Sequence, residues 1–471
     1  MGKDKFTASD SNMKNDVERA SASNTEEDKA SASDIDEDTN NGTGMMFSPD
    51  WSHTWEHLKG FKEQASNTEE DGAGECCIYM VPNSLRDRKP EAFSPQLISI
   101  GSFHHGQERL EESMNMKFSY QGEFLKRNDM EEKRFIDFLR RIQKEEVSIQ
   151  LCYSETIRLC FSKSCLCFAK TEHFVTMIVL DAVFIIEFLK HSYDDDFPQT
   201  LDTRMISCIG EDLMLLENQL PFFIIDSIYN EFYHPRQDEP NITFLDLATR
   251  HFGKFPFAQG PESTPPTDVR HFTDLLMKLM LNGALKRENH YKPIKLKYSA
   301  VTLRKGGVKF QVTEDKCLFN VHFENGVLKI PLLEVDDSFE RLIRNVMAWE
   351  QRYKPGEAYI SNYFKFMDHL IDRAEDVALL AEEGIIKNWL GDDAAVSKLM
   401  NNLSQCSEKT SYYSDICQTL NDYYENPWNR RRATLKLVYF SNLWRGTGTL
   451  AAAFLLILTL IQTITSLKSS F

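Results

Sequence analysis

The chain has 471 residues, 42% of them hydrophobic and 11% aromatic, with 32 Phe and a formal net charge of −17. That length admits two or three ordinary domains, or one large helical body with extensions, and the apolar content admits a thick core. Residues 1–75 hold 7 basic and 18 acidic side chains, which leaves the remainder at about −6; an acidic body offers no basic footprint and argues against nucleic-acid binding.

Residues 1–45 are polar and low in complexity, with ASNTEED at 22–28 recurring at 65–71. Such composition buries too little apolar surface to offset chain entropy, so the leader 1–75 is expected to be largely disordered, a solvated spacer or a docking site for basic partners. Asp34, Asp36 and Asp38 imitate the opening of a calcium loop. Thr39 replaces the turn glycine and Met45 the final Glu, so no calcium site is expected. In PDWSHTWEHLKGFKEQ, Trp51, Trp55, Leu58 and Phe61 fall at helical spacing. They predict a short amphipathic helix near 50–64 that docks on the body or on a partner.

The folded region, 76–445, is expected to start near Cys76. CIYMVPNSLRDRKPEAFSPQLISIGSFHHG is interrupted by prolines and glycines and reads as an extended strap. A helix pair is predicted over about 107–127 and 129–146. HFVTMIVLDAVFIIEFLKH (173–191) is apolar on nearly all sides and predicts a central buried helix; His173, Asp181 and Glu187 argue against a membrane span there. EDLMLLENQLPFFIIDSIYNEF (211–232) reads as a second buried helix, bent or restarted at Pro221. PESTPPTD (261–268) is a loop, and a helix runs through HFTDLLMKLML. CLFNVHFENGVLKIPLLEV carries the one convincing β signal, a hairpin turning at Asn325-Gly326. Helical patterns resume in FERLIRNVMAWEQ, YISNYFKFMDHLI, VALLAEEGIIKNWL and AAVSKLMNNLS, and a last segment from about 412 leads to the C-terminus. The fold class is mainly α, a large helical body with a small β-hairpin insertion.

The ten cysteines (76, 77, 152, 160, 165, 167, 208, 317, 406 and 417) have neither CxxC spacing nor histidines at finger spacing. They predict no zinc site, and in a cytosolic body they are reduced core thiols. An extracellular body would reopen disulfide pairing. No phosphate-binding loop, dinucleotide fingerprint, nucleophile elbow or HExxH is present, so no enzyme activity, cofactor, metal or small-molecule substrate is expected. Adjacent His104 and His105 point to opposite sides of an extended segment, which disfavours joint metal ligation. A structural role, recognition, and metal or acid–base chemistry stay open for them. Glu217, Asn218 and Gln219 before Pro221 are placed to satisfy backbone groups freed at the bend, or to line a polar pocket.

Gly446–Leu467, GTGTLAAAFLLILTLIQTITSL, runs 22 residues without a charge, and ten of them are Leu, Ile or Phe, among them Leu450, Leu456, Leu460 and Leu467. At 1.5 Å per residue such a helix spans roughly 33 Å, enough to cross a bilayer core. Gly448 and Ala452 form a small-xxx-small pair suited to helix pairing, so a homo- or hetero-oligomer stays possible. Arg430, Arg431, Arg432, Lys436 and Arg445 precede the span and only Lys468 follows within the tail 468–471. That bias predicts a cytosolic body and a C-terminal anchor, without choosing between plasma membrane and endomembranes. The N-terminus has no apolar h-region, so no signal peptide is expected. Asn41, Asn241 and Asn402 are sequons that matter only for a luminal body.

IYMVPNSLRDRKPEAFSPQLISIGSFHHG (78–106), MIVLDAVFIIEFL (177–189), EDLMLLENQLPFFIID (211–226), NGVLKIPLLEVDDSFERLIRNVMAWEQ (325–351) and YFSNLWRGTGTLAAAFLLILTLIQT (439–463) together resemble the plant domain-of-unknown-function 247 family, also called the UPF0481 group. The resemblance covers about 76–467; Ser102 stands where the family often has Pro, and Met80 where it often has Arg. It implies a helical domain with a C-terminal transmembrane helix and no established enzymatic activity. It also implies, for some grass members, a pollen-side role in self-incompatibility exercised by recognition. The expected function is therefore a non-enzymatic, membrane-anchored recognition or signalling protein with an unidentified protein partner. The alternatives are a membrane-associated enzyme with an unrecognised site, or a scaffold in stress or growth responses.

Overall fold

The computed structural model describes residues 76–154, 171–233, 241–258, 266–286, 294–353, 358–405, 412–435 and 443–469. The leader, with its acidic repeats, the imitation calcium loop and the helix expected near 50–64, lies outside the described residues, as do Cys160, Cys165, Cys167 and Cys406. The fold is mainly α, with two small sheets.

The strap contains two short helical turns, α1 (Asn83–Arg86) and a 3-10 turn over Pro90–Phe93, and is otherwise non-helical. The expected pair follows as α2 (Glu112–Arg127) and α3 (Glu132–Lys144), then α4 (Glu146–Leu151). The apolar run near 173–191 becomes α5 (Thr171–Asp194), the centre of one half of the body. Val183, Phe184, Ile185, Phe188 and Leu189 are fully buried there. Around it lie α2, α3, α7 (Phe222–Phe232) and α8 (Phe244–Phe252), so a helix apolar on all sides is covered on all sides.

α6 (Thr203–Asp212) ends well before Pro221, which corrects the expectation of one helix over 211–232. Leu213–Leu220 turns instead. Side chains take over the backbone partners a helix would use: Gln219 donates to the carbonyls of Leu213 and Leu215, and Asn218 to that of Asp212. Such local bonds offer the chain an alternative to helix. Pro221 is the N-cap of α7, not an interior kink.

α9 (Phe272–Met280) links the first half to the second, which is built on α11 (Phe339–Tyr353), α12 (Tyr359–Leu370), α13 (Ala374–Glu382) and α14 (Asp393–Ser404). Between them come α10 (Ala300–Lys305) and strands β1 (Lys309–Thr313), β2 (His322–Glu324), β3 (Val327–Pro331) and β4 (Leu333–Val335). The hairpin β2–β3 turns at Asn325 (φ +53°) and Gly326 (φ +78°), as the Asn-Gly pair predicts. The sequence reading missed β1, which joins β3 in parallel. It also read 377–390 as one helix. Gly384, at φ +73°, closes α13, and the next residues form β5 (Ile386–Asn388), parallel to β4. A left-handed residue after the last turn is the usual glycine stop, and β-branched Ile385 and Ile386 favour the strand beyond it.

α15 (Ser414–Glu425) and α16 (Pro427–Thr434) lead to α17 (Leu443–Ser469), which contains Gly446, Leu450, Leu456, Leu460 and Leu467. Residues Thr447–Lys468 are long and apolar enough to cross a membrane, and none of that stretch is buried by the body. Its threonines bond inward: the hydroxyls of Thr459, Thr463 and Thr465 donate to the carbonyls of Leu455, Thr459 and Ile461. Their polarity is thus satisfied within the helix.

Candidate functional site

The strap pairs with the rest of the chain through one isolated bridge, Ile78 with Tyr153. Turns within the strap satisfy the N–H groups of Leu85, Arg86, Asp87, Lys89, Ala92 and Ser94, and those left over need acceptors, because a buried donor without one costs as much as a lost hydrogen bond. Side chains supply them. Val81 N donates to Glu217 Oε1 (2.6 Å) and Ile100 N to Asn218 Oδ1 (2.6 Å). Gly101 N donates to Asp181 Oδ2 (2.8 Å). Asp212 alone accepts from Gln96, Leu97 and Ile98, at 2.7 to 2.9 Å for its shortest contact with each.

Each of the three carboxylates also has a cation. Lys117 Nζ lies 2.5 Å from Asp181, with both side chains almost wholly buried. Arg341 bonds Asp212 and also donates to the carbonyl of Ser94, and Arg86 bonds Glu217. Asn345 completes the clamp, accepting from Leu216 N and donating to Ala92 O. Buried charges of this kind are tolerated because countercharge and hydrogen bonds meet together. Gly101 is needed at the closest approach: at φ +68°, a Cβ there would sit 2.5 Å from Gln219 O.

Of the residues singled out from sequence, His104, Glu217, Asn218 and Gln219 come together, while His105 does not join them. His104 is buried, with Nε2 4.0 Å from Glu217 Oε2, and its Nδ1 faces the Gln107 amide at 3.0 Å. Burial, reinforced by Arg109 and Arg86, pushes His104 down to about 4, so it is neutral at pH 7. Burial pushes Glu217 up, against the pull of Arg86 and Val81 N–H. His105 lines a separate open cleft of about 310 Å³ beside Gln107, Glu108, Glu111 and Met114. Pro221 lies outside the polar cluster, and Phe222 N beside it donates to Arg270 O at 2.7 Å. The described residues hold no group of three His, Cys, Asp or Glu side chains placed to share a metal. Sequence reasoning missed Asp212, Lys117, Arg341 and Asn345 as members. The available signal was Asp181, a carboxylate inside an apolar helix that demands a partner.

A different constellation faces outward on the two-stranded sheet. Trp389, directly after β5, is 60% exposed, and its Nε1 donates to Glu334 Oε2 at 3.0 Å. Lys387 stands over the indole at 4.5 Å and pairs with Glu334 at 3.1 Å. Leu332, also exposed, precedes β4. The large ring is therefore held in one orientation in solvent.

A family model described as "Plant protein of unknown function", DUF247, matches residues 78–458. The chain belongs to the DUF247 family. Two relatives from Arabidopsis thaliana support the membership. UPF0481 protein At3g47200 is 28% identical, over 87% of this chain and 90% of its own. Putative UPF0481 protein At3g02645 is 24% identical, over 84% of this chain and 90% of its own. No solved structure matches. The DUF247 match begins at the strap, takes in every member of the clamp and ends inside α17. In this DUF247 protein, the strap, the MIVLDAVFIIEFL stretch and the EDLMLLENQLP stretch are thus one cluster in space.

Proposed function

We propose that this DUF247 protein is a membrane-anchored recognition module, not an enzyme, whose helical body lies in the cytosol and binds another protein. The observation that carries the reading is the exposed Trp389, braced by Lys387 and Glu334. A rigid aromatic with a neighbouring ion pair has the chemistry of an interface hot spot. The clamp supports the same reading, because its titratable groups are engaged in holding the strap and are not displayed to a substrate. α17 is the anchor, and the basic residues before it favour a cytosolic body. Recognition in pollen self-incompatibility, the role implied for some grass members, is one form this activity would take.

The test is proximity labelling in plant cells, with a biotin ligase fused to the N-terminus of the full chain and of a Trp389→Ala variant. A defined set of cytosolic proteins is expected on the wild type, reduced roughly tenfold on the variant at equal abundance and membrane retention, as for a hot-spot loss of about 1.4 kcal/mol or more. An unchanged set sinks the Trp389 platform. Glycan attachment at Asn241, which is exposed, sinks the cytosolic placement.

A further inference from the structure

α16 is eight residues long, and its faces are distinct. Asn429 and Ala433, four apart, turn to the body: Asn429 Nδ2 donates to Tyr423 O at 3.0 Å and Ala433 is buried. Trp428, Arg431, Arg432 and Leu435 recur at i, i+3, i+4 and i+7 on another face, with Trp428 74% and Leu435 51% exposed. Pro427, Arg430, Arg431 and Thr434 line a groove of about 430 Å³ beside it. The three guanidinium groups lie over rings or in solvent, with Arg430 against Tyr424 and Arg431 against Trp428. Among the described residues none of the three is in an ion pair. A triple-arginine helix on a chain of net charge −17 calls for an anionic counterpart.

The position says which one. Leu443, where α17 begins, is eight residues beyond Leu435. Those steps reach at most roughly 28 Å, so α16 is tethered close to whatever surface α17 enters. We propose that α16 is a binding site for anionic phospholipid headgroups, its arginines engaging phosphate and Trp428 and Leu435 entering the interfacial layer. Guanidinium forks match phosphate oxygens in pairs, and tryptophan settles where an apolar ring and a polar edge are both served. This rests on the reading of α17 as a membrane anchor. It adds that the body is held against the bilayer and does not swing freely from it.

The experiment uses the full chain in lipid nanodiscs of phosphatidylcholine, with or without about 30 mol% phosphatidylserine, and reads amide hydrogen exchange over 427–435. Exchange is expected to slow about fivefold or more in the anionic discs, with the slowing lost at about 0.5 M NaCl. The triple variant Arg430→Gln, Arg431→Gln, Arg432→Gln should exchange alike in both discs while keeping the wild-type melting temperature. Equal exchange in the two lipid compositions, with the wild type co-eluting with discs, overturns the lipid site and leaves the anchor standing. Slowing in both compositions that salt abolishes assigns the helix to an acidic protein segment and also overturns it. A chain that fails to enter discs overturns the anchor reading and this one with it.

Discussion

Asp212 has two oxygens and, itself fully buried, serves three consecutive backbone N–H groups together with the Arg341 guanidinium. Removing the carboxylate leaves three donors short of an acceptor and Arg341 with only Glu211 and the Ser94 carbonyl, so Asp212→Ala is expected to cost about 3 kcal/mol. Urea unfolding of the detergent-solubilised full chain measures it. A cost under about 1 kcal/mol would mean that water or another side chain replaces the carboxylate. At this scale the sequence is only half readable. Asp181 and Glu187 stand out as charges in an apolar helix, and Asn218 and Gln219 as polar groups before a proline. Their partners lie far off along the chain: Lys117 for Asp181, Arg127 for Glu187, Ile100 N for Asn218. No periodicity carries that information.

Pro221 separates two readings of one element. Inside a helix it would remove a bond and clash, and replacing it would stabilise; at the N-cap, where it stands with φ −58°, it only restricts the unfolded chain. Pro221→Ala is therefore expected to destabilise by about 0.4–1 kcal/mol, again by urea unfolding. A gain in stability would restore the interior-kink reading. Elements long enough to show a period were legible: α5 from its unbroken apolar run, α11, α12 and α14 from their stripes, and the hairpin from Asn325-Gly326. The strands missed are three to five residues long, and β5 finds its parallel partner about fifty residues upstream. Too short for a period, they depend on tertiary pairing. The outward-facing Trp389 gave no sequence signal for the same reason, since its exposure follows from that pairing.

For the molecule as a whole, buried ionisable groups make stability depend on pH in opposing senses. Glu350 accepts from Ile360 N, Ser361 N and the Ser361 hydroxyl, yet burial pushes it up to about 7 from its ordinary 4.5. The folded state therefore holds this proton more tightly. That stability is fully present below pH 4.5 and is lost as pH rises through about 7. His251 and His271 run the other way: burial lowers them to about 3 and about 4, so their contribution is present above 6.5 and lost as pH falls. Glu350→Gln isolates the first effect. The unfolding free energy of the wild type minus that of the variant is expected to fall by about 3 kcal/mol between pH 4.5 and 7. A difference that stays level over that window would mean that folding does not raise Glu350 above its ordinary value.

The clamp also sets an order of events on the ribosome. The strap is made early, yet Ala92 is held by Asn345, 253 residues later, and Ser94 by Arg341. At about 5–20 residues per second, translation leaves the strap waiting roughly 13–50 s for these partners. Throughout that wait Val81, Phe93, Ile98 and Ile100, all buried in the finished body, have no complete surface to cover them. The strap therefore spends most of synthesis without its last two side-chain partners, and truncation anywhere before residue 341 yields a chain whose clamp lacks both.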